Sequence, residues 1–334
     1  MVTLKDIAAR AGVTHSIVSR TLSRDPTLRI NDQTRENILK AAKELHYTPN
    51  IAAQALRNAR PQTIAMAMHD ITHPIFAQIF AGAQAAAEDK NYSLFIGEVD
   101  AMVSGEARLN TLIRGGAVEG LILLGIGSDA DETARRMLAG KRLVCLQEER
   151  HPLFGCVQLA DREATRIATR HLLELGHTRI GMISTASGAS FSQRRVQGWR
   201  DAMQEAGLAA PDTWLTWAGS DIESGRASVQ KLLAEAPDLT GIVVGNVVEA
   251  IGALTGLRQL SKSVPDDISV VTLFDTPLAQ HIDPILTTVE LPLSKLGYTA
   301  VQLLLDEEAP DGKLVVISDP APNLLVRAST APAR

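Results

Sequence analysis

Residues 4–22 read LKDIAARAGVTHSIVSRTL. Leu4, Ile7, Ala8 and Ala11 recur at the three-and-four spacing that lines one helical face. Gly12 supplies the backbone freedom for a tight turn, and Val13 is the apolar plug behind it. Thr14 sits where an N-cap belongs. The second helix is expected to bury Val18, Thr21 and Leu22 and to turn His15, Ser16, Ser19 and Arg20 outward. Two short helices hinged at a glycine, the second presenting polar and basic side chains, have the form of a helix-turn-helix that reads a major groove. An ordinary helical hairpin shares this pattern, so the stretches around it have to separate the two.

Charge is the first of these. Residues 1–60 hold ten Lys and Arg against five Asp and Glu, a balance of +5, so the remainder of a chain with net charge −5 carries −10. A basic head on an acidic body is the footprint of a DNA-binding module joined to something that stays off DNA. At 334 residues the chain suggests a small module plus one or two larger ones, and 45% hydrophobic residues suffices for their cores.

Asn31 is placed to cap a third helix, NDQTRENILKAAKEL, with Ile38, Leu39, Ala42 and Leu45 expected inward. YTPNIAAQALR follows, Tyr47 to Arg57. The VTLKDIA opening, AGV, VSR at Val18–Arg20, TR at Thr34–Arg35, YTPN and the closing Leu56–Arg57 together resemble the lac-repressor/galactose-repressor family of bacterial regulators. The resemblance implies a headpiece over residues 1–46 and a hinge helix or linker over 47–60, with an effector-binding and dimerisation domain over 61–334. It places DNA contacts on Thr14, His15, Ser16, Ser19 and Arg20, on Thr34, and on Asn50, Ala53 and Leu56 of the hinge. A Leu56 that enters the minor groove can wedge between base steps and kink the duplex. Taken by itself the hinge is too short for a stable helix in water and reads as a linker.

From Thr63 short apolar runs alternate with helical stretches: TIAMAM, SLFIG, VEGLILLG and RLVCL, then RIGMIS, a strand near Trp214–Trp217, GIVVG and ISVVTLF. Helices are expected between them, among them one to about Arg114 and one through Leu138. Strands buried on both faces and each followed by a helix mean parallel sheets, and their number exceeds one comfortable sheet. The expected fold class is α/β, an all-α head followed by a body of two similar halves, which the resemblance makes two Rossmann-like lobes. The resemblance continues through HPIFAQIFAGAQ, VEGLILL, HLLELGHTRIGMI, RRVQGW, DISVV, the LTTVE run at Leu286–Glu290, LGYTAVQLLLD and LLVRAST. It implies lobes like those of periplasmic sugar-binding proteins: about 62–160 plus 291–320, and about 161–290 plus 321–330.

By the same resemblance the effector lies between the lobes, near Pro74, Phe76, Gln147, Asp161, Arg195, Asn246 and Asp275. Capping of the following helix accounts equally for Asn246, and an N-cap is the other reading of Asp275. The chain departs from the family in several places. The common Asn-Asp pair reads Asn246-Val247, the carboxylate after the fourth strand of the first lobe is Gln147, and the aromatic near Glu223-Ser224-Gly225 is Ser220 or Asp221. Ile75-Phe76 stands where purine-binding relatives have an aromatic pair, which favours a mono- or disaccharide or glycoside over a purine. Trp214 and Trp217 read as buried strand aromatics, with a stacking role as the alternative.

No dinucleotide or phosphate loop, nucleophile elbow or metal-spaced histidine pair stands out, so neither an enzyme nor a cofactor is expected. Cys145 and Cys156 fall in apolar runs and read as small buried hydrophobes in a reducing compartment. No spanning helix or signal peptide is expected, hence a cytoplasmic location, at the nucleoid when DNA is bound. The expected function is a homodimeric, ligand-responsive repressor on a near-palindromic double-stranded operator. A sugar-binding transport protein would have no use for residues 1–57, and a sugar-processing enzyme would need a catalytic constellation.

Overall fold

The structure is a computed structural model, and it describes residues 2–22, 25, 27–47, 62–98, 115–124, 141–185, 187–309 and 312–334. Asn50, Ala53 and Leu56, and the helices expected to Arg114 and through Leu138, lie outside the described residues. The chain divides into two compact units, Met1–Pro61 and Gln62–Arg334.

The first unit contains α1 (Leu4–Ala11), α2 (His15–Leu22) and α3 (Asp32–Glu44). They pack around Ile7, Val18 and Ile38, each fully buried. Two inward assignments change. Leu39 is half exposed, and Ala41 takes its place, because 38, 41, 42 and 45 form one stripe and 39 lies a quarter-turn off it. Ser19 is 8% exposed, on the packing side rather than the outward one.

The second unit holds two six-stranded sheets. The strands of the first are β1 (Thr63–Met68), β2 (Ser93–Glu98), β3 (Gly120–Leu124), β4 (Arg142–Leu146), β5 (Gly155–Leu159) and β11 (Leu314–Ile317). Their order is β11-β5-β4-β3-β1-β2, all parallel. The second has β6 (Ile180–Thr185), β7 (Leu215–Ala218), β8 (Gly241–Val244), β9 (Ser269–Leu273), β10 (Thr287–Glu290) and β12 (Asn323–Leu325). Its order is β12-β10-β9-β8-β6-β7, with only the β10–β12 pair antiparallel. β1, β3 and β8 are buried along their whole length, as strands covered by helices on both faces must be.

The sheets define two lobes, and the chain passes between them three times: after β5, after β10 and after β11. The described helices of this unit are α4 (Pro74–Asp89), α5 (Asp161–Glu174), α6 (Ser190–Glu205), α7 (Ile222–Glu235), α8 (Val247–Gln259), α9 (Pro277–Gln280) and α10 (Leu293–Leu305). After the second crossing α10 returns to the first lobe and lies along α4. A Cβ on Gly82 would stand 1.8 Å from the Ser294 carbonyl oxygen, and one on Gly297 would stand 1.9 Å from that of Ile79. Only glycine permits this approach of two helices.

Neither β5 nor β11 stands out in the sequence: polar Gln158 interrupts the one, and the other is a run of only four apolar residues. Trp214 ends a 3-10 turn instead of entering the strand, and Trp217 on β7 is 36% exposed, so the expectation of two buried strand aromatics is corrected. β7 is an edge strand, and one of its faces is left open. Cys145 and Cys156 are free, buried and directly opposite each other on β4 and β5.

Candidate DNA-reading helix and effector cavity

In the first unit α1 begins with a capping box: Thr3 donates to the Asp6 carboxylate from both its amide and its hydroxyl, each at 2.7 Å. Gly12 ends α1 at φ 67°, in the left-handed region. The Ile17 amide then donates to Thr14 Oγ1 at 3.5 Å, a long cap for α2. Asn31 caps α3 by accepting from the amide of Thr34 at 2.7 Å, which puts half-buried Thr34 in that helix's first turn. On α2, Thr14, His15 and Ser16 are exposed. Arg20 is held from its own loop: Nε donates to Asp25 Oδ2 at 2.7 Å and Nη2 to Thr27 Oγ1 at 2.9 Å. Hydrogen bonds from Arg20 and Thr27 lower the Asp25 carboxyl to about 2. The guanidinium therefore has a fixed direction before it meets any partner.

In the second unit a cavity of about 520 Å³ lies between the lobes. The first lobe lines it with His69, Asp70, His73, Phe76 and Gln147, among others. The second contributes Thr185, Phe191, Arg195, Ser220, Asn246 and Phe274. Arg195 projects from α6 and is 4% exposed. Its Nε donates to Asp161 Oδ1 at 2.8 Å and Nη1 to the Gly245 carbonyl at 3.2 Å. The guanidinium lies over the rings of Phe191 (4.7 Å) and Phe274 (4.9 Å). Asp161, at the start of α5, is fully buried and also accepts from Gln147 Nε2 (3.0 Å) and Arg194 Nη2 (3.3 Å). Charge and hydrogen bonds are thus matched, as an ion pair removed from water requires.

Of the seven residues the sequence points to here, Phe76, Gln147, Arg195 and Asn246 line the cavity. Asp161 sits behind the wall, orienting Arg195 and Gln147. Pro74 is the first residue of α4 and belongs to the helix start rather than to the lining. Asp275 is corrected more fully, because its carboxylate is bound within its own lobe: it accepts from Arg327 Nη1 (2.7 Å), Thr288 Oγ1 (3.1 Å) and Gln280 Nε2 (2.9 Å). Burial pushes that carboxyl up, but the hydrogen bonds from Arg327 and Thr288 outweigh it and hold it below the ordinary value. The neighbouring Phe274 faces the cavity instead. Asn246 caps α8, its Oδ1 accepting from the Val248 amide at 2.9 Å and from that of Glu249 at 3.0 Å, and the residue also lines the cavity. At the departure near Glu223, Ser220 faces the cavity and Asp221 caps α7.

His73 was not singled out in the sequence. It is 5% exposed, and burial lowers its pKa, leaving it neutral near pH 7. Nδ1 accepts from the Ile75 amide at 3.4 Å, so the proton is on Nε2. A histidine just before a proline that opens a helix is the sequence sign of this cap.

This geometry has known counterparts. Residues 3–50 match the family of bacterial regulatory proteins, lacI family, and residues 169–330 match the periplasmic binding protein-like domain. The HTH-type transcriptional regulator DegA of Bacillus subtilis is 31% identical, over 99% of this chain and 98% of DegA. This chain belongs to the LacI family. A LacI-family regulator from Mycobacterium smegmatis superposes with a TM-score of 0.75 at 33% identity, over 80% of this chain and 99% of that one. A complex of the transcriptional regulator CelR with cellobiose gives 0.74 at 27% identity, over 98% and 100% of the two chains. As a LacI-family member the chain is a DNA-binding transcriptional regulator with an N-terminal helix-turn-helix and a two-lobed body. Among the described residues no helix is long and apolar enough to cross a membrane.

Proposed function

We propose that the chain is a homodimeric repressor of the bacterial cytoplasm and nucleoid, without enzymatic activity, whose hold on a near-palindromic operator is controlled by an uncharged sugar or glycoside in the inter-lobe cavity. Residues 1–46 form the DNA-reading head, 47–60 the hinge and 61–334 the effector-binding and dimerising body. His15, Ser16 and Arg20 of α2 read base edges, and Thr14 and Thr34 hold phosphates. Asn50, Ala53 and Leu56 take the minor groove at the operator centre.

The observation that carries the effector reading is the setting of Arg195. Asp161 offsets its charge and takes Nε–H, and the Gly245 carbonyl takes one Nη1 proton, so the remaining Nη protons are left for neutral acceptors. N–H donors of a charge-balanced guanidinium set between phenylalanine rings suit sugar oxygens, and the rings suit the sugar's apolar face. The bound cellobiose of CelR, a protein with the same fold, agrees with this reading.

The test is operator binding by fluorescence anisotropy in the presence of neutral sugars and glycosides, with thermal shift of the body in parallel. At least one compound is expected to raise the melting temperature and change operator affinity. Sugars that leave both readouts unmoved would refute the effector assignment.

A further inference from the structure

Glu249 stands in the first turn of α8, directly behind the second-lobe wall of the cavity, and is 0% exposed. Its Oε1 accepts from the Thr185 hydroxyl at 2.6 Å, and its Oε2 is buried without a partner. A carboxyl here is unexpected, since Val247, Ala250, Ala253 and Leu254 of the same helix are packed in the apolar core. Burial pushes it up to about 8, against the Thr185 hydrogen bond and the nearby charge of Arg195, while Asp221 adds to the rise. Near pH 7 it is a neutral acid whose proton belongs on Oε2, so that Oε1 accepts from Thr185 and the wall gains a polar partner without gaining a charge.

Thr185 and Asn246 both line the cavity, and their hydrogen-bonding capacity can be counted. Thr185 has one proton and two lone pairs. The proton goes to Glu249, and Asn246 Nδ2 donates to Oγ1 at 3.3 Å. One lone pair is left. The Asn246 Oδ1 is consumed by two backbone amides, and one of its two Nδ2 protons by Thr185, which leaves one donor.

We propose that Glu249 is a positioning residue of the effector cavity, holding the Thr185 proton so that this wall offers one acceptor beside one donor and is met by an effector hydroxyl that donates. The proposal rests on the sugar reading of the cavity and narrows it. The effector brings two neighbouring hydroxyls to this wall, one giving its proton to Thr185 and the other accepting from Asn246. Without Glu249 the Thr185 hydroxyl can rotate to give or to accept, and the discrimination is lost.

The test uses the full chain with D-glucose, D-galactose, cellobiose and the monodeoxyfluoro derivatives of each. Fluorine keeps an acceptor and removes the donor. For a parent sugar that binds, one fluorinated position is expected to cost about tenfold in Kd, the size of one hydrogen bond. In Glu249→Met, which keeps the volume and removes the acceptor, that penalty is expected to shrink below threefold. Glu249→Gln, whose amide oxygen still takes the Thr185 proton, is expected to keep it. Thr185→Val supplies a separate check in case Glu249→Met does not fold, and there the penalty is expected to vanish. An undiminished penalty in Glu249→Met or Thr185→Val, or its loss in Glu249→Gln, overturns the role of Glu249 and leaves the sugar reading intact. If none of the three parent sugars binds, both the sugar reading and this refinement fall together.

Discussion

Gln147 and Phe274 occupy matching places in the two lobes. Each is the residue just beyond a strand, β4 for Gln147 and β9 for Phe274, and each has a left-handed backbone, with φ 65° and 70°. Each donates its amide to the next strand at 2.8 Å, to the Val157 carbonyl in one lobe and to that of Val289 in the other. Both side chains line the cavity. A left-handed conformation costs a non-glycine residue roughly 1–2 kcal/mol, and such strain tends to gather where a ligand is held. Here it turns two side chains out of the sheets and toward the facing lobe.

Arg195→Ala removes a guanidinium from the cavity wall and takes away the nearer of Asp161's two arginine partners. Effector response is expected to be lost while operator affinity stays near wild type. Stability is expected to fall by about 3 kcal/mol, near the low end for breaking a buried pair, because Gln147 and Arg194 still donate to Asp161. Urea denaturation measures the second effect and anisotropy the first. A variant that still responds at wild-type effector concentrations would remove Arg195 from the site.

Glu249 sets a pH dependence with a definite sign. Unfolded, its carboxyl titrates near 4.5, and folded near 8, so between those values the native state holds one proton more. Its contribution is complete below pH 4.5 and is lost as pH rises toward 8, at about 1.4 kcal/mol per pH unit. Arg195 and Asp221 are the charged groups that bear on it. Glu249→Gln has no such proton. The stability difference, variant minus wild type, is expected to grow in the variant's favour from pH 5 to 8, and a constant difference in denaturation measurements would place the carboxyl at an ordinary pKa.

Arg20 and Asp25 make a separable pair of predictions at the DNA-reading end. Arg20→Ala is expected to cost about 1–3 kcal/mol on the operator and to relax preference at one base pair. Asp25→Ala frees the guanidinium rather than deleting it, so a smaller loss with the base preference kept is expected. Anisotropy on a set of single-base operator variants separates these outcomes. Uniform weakening across all sequences by Arg20→Ala would make it a phosphate contact.

Salt dependence follows from the +5 balance of residues 1–60. Operator affinity is expected to fall steeply between low and physiological salt as counterions are released, and a fragment of residues 62–334 is expected not to bind. Tight binding by that fragment would relocate the DNA contact to the body.

Gly297→Ala tests the contact of α4 with α10. The new methyl would meet the Ile79 carbonyl oxygen at 1.9 Å, and backbone can yield only by separating the helices. A loss of about 1–3 kcal/mol is expected, typical of overpacking. Unchanged thermal stability would mean that the pair has room to spare.

The sequence by itself determined the architecture. The glycine hinge at Gly12, the caps at Thr14 and Asn31 and the run of buried strands are local features, and local chemistry decides them. RIGMIS, GIVVG and ISVVTLF became β6, β8 and β9 because an unbroken apolar run between helices has no other stable place. The family resemblance pointed to Arg195 and Asn246, and both line the cavity. What only the tertiary structure decided is which groups meet across distance. Asp275 is drawn to Arg327, 52 residues away, and Phe274 is turned inward in its stead. Glu249 looks like an ordinary first-turn carboxylate in the sequence, and only the packing of α8 against β8 and β9 removes it from water beside Thr185. Charge, burial and hydrogen-bond partners are properties of a place, and those places exist only once the second lobe has folded around them.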